Sequence, residues 1–241
     1  MEKWVLAAKR ADFQEIGRKY GIDPVIARII RNRDITEDAE INQYLNGTLD
    51  DIPSWKSLKD IDKAVEIISQ KIDLGTRMRI IGDYDIDGVN AAYILKEGLG
   101  ANVDTYIPDR IADGYGIHNH LIEKAKEDGV DTIVTCDNGI SAADQIAFAK
   151  KMGMTVVVTD HHEVPFEDTE EGRKYKLPLA DAIINPKQSD CTYPNKNICG
   201  AVVAMKLVFA LYEKYGIPES EKEDYLEPAA IATVGDIMDL Q

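Results

Sequence analysis

The chain has 241 residues, 44% of them hydrophobic, and 43 acidic against 28 basic side chains, a formal net charge of −15. That apolar content can fill a sizeable core and excludes intrinsic disorder as the main state. The acidity excludes a protein whose whole surface grips nucleic acid or an anionic membrane, since both need a basic face, and leaves the carboxylates to solvation or to chemistry at one place.

Residues 12–75 read as helical, without a convincing strand. ADFQEIGRKYG spaces Phe13, Ile16 and Tyr20 along one helical face and closes on Gly21. DPVIARIIRNR opens on an aspartate cap with proline in the first turn, and TEDAEINQYLNG repeats the cap–helix–glycine format. After an irregular connector, TLDDIPSWKSLKD, residues 61–75 form an amphipathic helix. From residue 78 the β-branched runs MRIIG, NVDTYIP, DTIVTCD, MTVVVTD and ADAIIN alternate with the helical stretches GVNAAYILKEGLG, HNHLIEKAKEDG and SAADQIAFAKKMG. This alternation predicts an α/β fold: a mostly parallel sheet with helices on both faces, over residues 76–241, preceded by a small helical region, 1–75, packing on it. Residues 163–180, charged and carrying Pro165 and Pro178, read as a long surface loop. Helices at 200–215 and 224–236 complete the pattern.

Cys136, Cys191 and Cys199 match neither a disulfide framework nor a paired-cysteine zinc site. The N-terminal MEKWVLAAKRAD has no signal-peptide format, and no apolar run approaches the roughly 20 residues that span a bilayer. A cytoplasmic protein with no membrane partner is expected.

Three predicted strands end in aspartate. MRIIG runs into Asp83-Tyr84-Asp85-Ile86-Asp87-Gly88, TIVTC into Asp137-Asn138-Gly139, and TVVVT into Asp160-His161-His162-Glu163. A parallel sheet brings these ends to one edge, where open α/β sheets bind ligands. Asp83, Asp85 and Asp87 converge if their segment stays extended, and Gly88 then lets the chain turn into a helix. Taken singly, each feature has a plain reading: a strand-end aspartate ordinarily caps a helix, Asp137 suits a turn, and paired histidines ordinarily lie on the surface. Three on one edge weigh towards function. Crowded carboxylates must be neutralised by protons or by cations, a divalent metal being the usual solution, and oxygen donors with one or two imidazoles suit Mn²⁺ or Mg²⁺. There are more carboxylates than one ion needs. A pair of ions about 4 Å apart, clamping a phosphoryl group for in-line attack, predicts phosphoester hydrolysis.

GDYDIDG, CDNGIS and TDHHE, in this order and spacing, resemble the DHH phosphoesterase superfamily, and most closely its RecJ-type branch of single-strand-specific 5′→3′ DNA exonucleases. LNGTLDDIPSWKSLKDIDKAVE, PDRIADGYGI, INPKQ, ICGAVVAMKL and ATVGDIMDL extend the likeness over roughly residues 45–240. GDYD in place of an HxxPDxD pattern points away from the family's soluble pyrophosphatases. The resemblance implies two divalent ions, Mn²⁺ or Mg²⁺, and a two-metal hydroxide attack on the scissile phosphate. Asp85 and Asp87 would each ligate one ion, with Asp83 a further ligand or a neighbour of one. Asp137 would bridge the ions, and His161 and Asp236 would complete the second site. As catalytic residues, Asp160 would orient a ligating histidine and His162 would contact the phosphate. Arg110 and Lys187 are phosphate-binding candidates set against ordinary surface cations. Gly200, before an apolar helix, either offers N–H groups to an anion or permits close packing.

Two departures bear on these expectations. Val89-Asn90-Ala91-Ala92 stands where the family has a Thr/Ser pair. The chain also stops at Gln241, whereas family members continue into a DHH-associated domain and often a nucleic-acid-binding barrel. Against the family pattern the chain reads as a fragment, the catalytic part of a longer protein, with a short relative as the alternative; a monomer that holds single-stranded DNA weakly by itself is expected. Two alternatives stand beside it: a DHH-type hydrolase of oligoribonucleotides, cyclic dinucleotides or 3′-phosphoadenosine phosphate, and an inactive scaffold.

Overall fold

A computed structural model describes residues 3, 9–100, 102–170 and 172–240. It comprises two compact units, Met1–Pro53 with Leu240–Gln241, and Ser54–Asp239. In the first unit, α1 (Phe13–Tyr20), α2 (Pro24–Asn32) and α3 (Asp38–Asn46) follow the predicted pattern. The carboxylate of Asp12 accepts the Glu15 N–H, and that of Asp23 accepts the Val25 N–H. Each cap answers N–H groups that have no partner inside their helix. Ile30, Ile35 and Ile41 form this unit's buried cluster.

The second unit begins at Ser54 and so takes in α4 (Ile61–Asp73), whose Ile61, Ala64, Val65 and Ile68 are buried in the main core. The change of texture at 75/76 is thus a change from helix to sheet inside one unit. The sheet has five parallel strands in the order β2-β1-β3-β4-β7. These are β1 (Met78–Ile81), β2 (Val103–Tyr106), β3 (Thr132–Cys136), β4 (Thr155–Thr159) and β7 (Ala182–Ile184). Along β3, Val134 and Cys136 face one buried cluster and Ile133 the other. Strands buried on both sides need no polar face, so they read as β-branched runs.

One cluster packs the sheet against α4, α5 (Ile86–Leu99), α8 (Gly200–Tyr215) and α9 (Leu226–Gly235). The other packs it against α6 (Asn119–Glu127) and α7 (Ala143–Lys151). The expectation of helices on both faces is met. Among the described residues no helix is long and apolar enough to cross a membrane.

Residues 163–180 do not form a plain loop. Phe166–Thr169 (β5) and Gly172–Tyr175 (β6) pair as an exposed antiparallel hairpin. Its charged composition hides the cross-strand pair that supports it: Phe166 and Tyr175 meet edge-to-face at 6.1 Å, with the Arg173 guanidinium 4.3 Å over Phe166.

From β1 the chain runs outward to β2 and then returns to place β3 on the opposite side of β1, so strand order reverses between β1 and β3. A crevice at such a reversal is where α/β sheets bind ligands. The register sharpens this. Ile81 pairs with Thr135, and Cys136 pairs with Thr159, so Asp83, Asp137 and Asp160 follow side by side beyond the strand ends. The Asp137 N–H donates to the Thr159 carbonyl at 3.1 Å, which continues the ladder into the site.

Candidate metal centre

The segment after β1 does not stay extended. The Asp85 carboxylate accepts the N–H groups of Asp87 and Gly88, at 3.0 and 2.9 Å, and so caps α5 from Ile86. Helix therefore begins inside the alternating pattern, and Asp87 turns away from Asp83 and Asp85. The three acids part into two sets. Asp83, Asp85 and Asp137 form one cluster able to hold a metal ion; Asp87, His161 and Asp236 form another; Asp137, His161 and His162 form a third. Asp137 and His161 are shared, so the clusters adjoin.

The centre of this arrangement is His161. Its Nε2 lies 3.1 Å from Asp137 Oδ1, 3.4 Å from Asp87 Oδ2 and 3.7 Å from Asp236 Oδ2. Donor atoms on the edge of an octahedron with bonds of about 2.1 Å lie about 3 Å apart, so the spacing suits one small divalent cation. Burial drives the His161 imidazole below its ordinary pKa, against the pull of Asp87, leaving a neutral ring with a lone pair to give. Asp83 Oδ1 and Asp137 Oδ1 are buried without a hydrogen-bond partner.

Electrostatics point the same way. Burial first, then the charges of Asp87 and Asp85, push the Asp137 carboxyl up to about 11. Burial likewise raises Asp83 and Asp87, the latter opposed by the Ala201 and Gly200 N–H groups. Without cations this cluster holds protons. The Asp137 backbone is itself in the left-handed region at φ 57°, uncommon outside glycine and found at sites where the surroundings hold it.

Beside the clusters stands a buried pair. Asp160 Oδ1 accepts from His162 Nδ1 at 2.7 Å and from the backbone N–H of His161 and His162, while Oδ2 accepts the Ile140 N–H. The imidazole that Asp160 orients is thus that of His162; it reaches His161 only through the main chain. Burial pushes Asp160 up, but the His162 hydrogen bond and charge outweigh it and hold the carboxyl below its ordinary value. The same bond raises His162.

The family model described as "DHH family, N-terminal domain" matches residues 77–233, which contain every residue named above except Asp236. The chain belongs to the DHH family. It is 34% identical over 232 residues to the single-stranded-DNA-specific exonuclease RecJ of Salmonella typhimurium, covering 91% of this chain and 38% of that protein. The DHH chain thus spans well under half the length of that relative. A crystal structure of exonuclease RecJ bound to manganese superposes with TM-score 0.64 at 30% identity, over 75% of this chain and 44% of the other. RecJ of Thermus thermophilus in complex with Mn²⁺ gives TM-score 0.69 at 26% identity, over 95% of this chain and 31% of the other.

The weaker candidates separate within the DHH fold. The Arg110 guanidinium lies exposed, 4.5 Å over the Tyr84 ring, and its charge reaches Asp83. Lys187 lies near His162, whose pKa its charge lowers, and its ammonium pairs with Glu163 at 3.0 Å. Gly200 does not offer its N–H to an external anion: that N–H donates to Asp87 Oδ2 at 2.6 Å, and the Ala201 N–H to Oδ1 at 2.7 Å. Both readings of Gly200 find a counterpart here: the anion at this helix end is a carboxylate of this chain, and the glycine packs closely against Asp137. Tyr115, quoted only within a motif above, enters the site directly: its hydroxyl is 3.4 Å from both His162 ring nitrogens and 3.3 Å from the Asp137 carbonyl. Its flanking glycines were the visible signal, reading as a turn that lifts one aromatic residue towards the sheet edge.

Proposed function

We propose that this chain is the catalytic part of a metal-dependent phosphodiesterase, a single-strand-specific 5′→3′ DNA exonuclease. The observation that carries the reading is the pair of carboxylate clusters, Asp83–Asp85–Asp137 and Asp87–His161–Asp236, linked where Asp137 of one meets His161 of the other at 3.1 Å, at the strand-order reversal. Asp83, Asp85 and Asp137 would hold one divalent ion, and Asp87, Asp137, His161 and Asp236 the other, Mn²⁺ or Mg²⁺ by the hardness of the donors. Bound there, two such ions lower the pKa of water and neutralise charge that builds on a phosphoryl group.

The chain's own residues supply the rest. Asp160 holds the Nδ1 proton of His162, which leaves Nε2 to face the scissile phosphate. Arg110 and Lys187 would meet neighbouring phosphates as cations. The choice of single-stranded DNA and the 5′→3′ direction rest on the likeness to RecJ-type relatives. Three free, buried cysteines accord with a cytoplasmic setting.

The test is digestion of long single-stranded DNA, duplex DNA and dinucleotides, labelled at either end, by this protein with Mn²⁺. Mononucleotides released from single strands, starting at the 5′ end and abolished by chelation, are expected. Cleavage of dinucleotides alone would establish the small-substrate alternative, and Mn²⁺ uptake without any cleavage would favour a scaffold.

A further inference from the structure

Asp87 sits on α5, yet its carboxylate is held by α8. Gly200 N–H donates to one oxygen and Ala201 N–H to the other, across more than a hundred residues of sequence. These are the first two N–H groups of α8, which have no partner within the helix and lie at its positive end. The Cys199 thiol also lies against Asp87, and burial with that charge pushes it up to about 12. Each carboxylate oxygen keeps a second lone pair, and Oδ2 lies 3.4 Å from His161 Nε2.

Gly200 has a second contact. A Cβ at this position would lie 2.8 Å from Asp137 Cβ, 3.1 Å from its Cα and 3.1 Å from Oδ1. Asp137 cannot easily withdraw, because its N–H is tied to β4 and its backbone already occupies the left-handed region. The end of α8 would have to retreat instead, and Asp87 would be drawn with it or lose its hydrogen bonds.

We propose that Gly200 is a positioning residue of the metal centre. Its N–H, with that of Ala201, sets the orientation of Asp87, and its missing side chain sets the distance between Asp87 and Asp137. Two acids from different segments are thereby spaced by a helix end with no side-chain freedom of its own. The proposal rests on the reading of Asp87 and Asp137 as metal ligands.

The experiment compares Mn²⁺ binding by calorimetry, and thermal stability in chelator, for the wild type, Gly200→Ala and Gly98→Ala. Gly98 lies on the same helix pair, eleven residues from Asp87, and a Cβ there would clash with the Val208 side chain. That places the same kind of clash about 16 Å along α5 from the site. Both variants lose stability, and Gly200→Ala alone weakens Mn²⁺ binding, by about tenfold or more. Unchanged affinity in Gly200→Ala, or an equal loss in both variants, would overturn the proposal. A wild type that takes up no Mn²⁺ would overturn the metal reading beneath it and the proposal with it. Should Gly200→Ala fail to fold, amide hydrogen exchange in Asp87→Ala decides: the Gly200 and Ala201 amides exchange about tenfold faster or more, with the rest of α8 unchanged. Unaltered exchange at those two amides would equally overturn it.

Discussion

Asp160 Oδ1 holds His162 Nδ1 at 2.7 Å, and the same oxygen accepts two backbone N–H groups. One buried atom therefore fixes both the histidine ring and the turn that carries it. An amide cannot satisfy this set, because its NH₂ end would face a donor. Asp160→Asn should destabilise the fold by about 1–3 kcal/mol and lower activity about 10–100-fold. It should also remove the main cause that raises the His162 pKa. Activity across pH checks this: the limb due to His162 moves to lower pH. An unmoved profile would separate Asp160 from the histidine.

Asp83, Asp87 and Asp137 all have raised pKa values in the metal-free fold, burial being the first cause. Between the ordinary carboxylate range and the folded values, the native state binds more protons than the unfolded chain. Stability must then fall as pH rises, by up to about 1.4 kcal/mol per pH unit for each such group. His162, also raised, acts in the same direction above its ordinary value, whereas His161 opposes. In chelator, the melting temperature should drop from about pH 5.5 to about pH 8.5, and Mn²⁺ should flatten or reverse that slope. A chelated protein that gains stability throughout this range would contradict the assignment.

Asp137→Asn isolates the repulsion. Asparagine tolerates the left-handed backbone that Asp137 adopts and keeps its shape. The metal-free variant at neutral pH should be more stable than the wild type by about 0.5–2 kcal/mol, with activity lost. Melting with and without Mn²⁺ reads both effects: the ion no longer stabilises the variant.

The row Asp83, Asp137 and Asp160 was legible because each follows a run of β-branched residues, and parallel pairing converts sequence position into a common edge. The side on which Asp87 lies was not. An alternating Asp pattern means convergence only in extended chain, and the cap formed by Asp85 replaces extension with helix. Asp236 follows the last turn of α9 without a local signal of its own; only the resemblance marked it. The role of Gly200 needed a partner from another segment, which no local pattern encodes. The hairpin at 166–175 was hidden because two aromatic residues among charges support it.

Tyr115 meets His162 and Asp137 at 3.3–3.4 Å, the long end of hydrogen bonding. Tyr115→Phe keeps the ring and loses only the hydroxyl, a change worth about 1 kcal/mol or roughly fivefold in rate. A loss beyond about a hundredfold would mean that the hydroxyl acts on the substrate directly. Single-turnover rates with saturating Mn²⁺ distinguish the two.

The two candidate phosphate-binding cations differ in local charge. Lys187 is compensated by Glu163 at 3.0 Å, whereas Arg110 is exposed over Tyr84 with no ion pair to a described carboxylate. A cation already paired must exchange its partner on binding a phosphate, so its net gain is smaller. Arg110→Ala should therefore weaken single-stranded DNA binding more than Lys187→Ala does, and lower the slope of log affinity against log salt by about 1. Lys187→Ala should change that slope by less. Titrations of a labelled oligonucleotide over a series of salt concentrations, with Ca²⁺ in place of the activating ion, read both quantities. Equal slopes for the wild type and Arg110→Ala would remove Arg110 from the phosphate path.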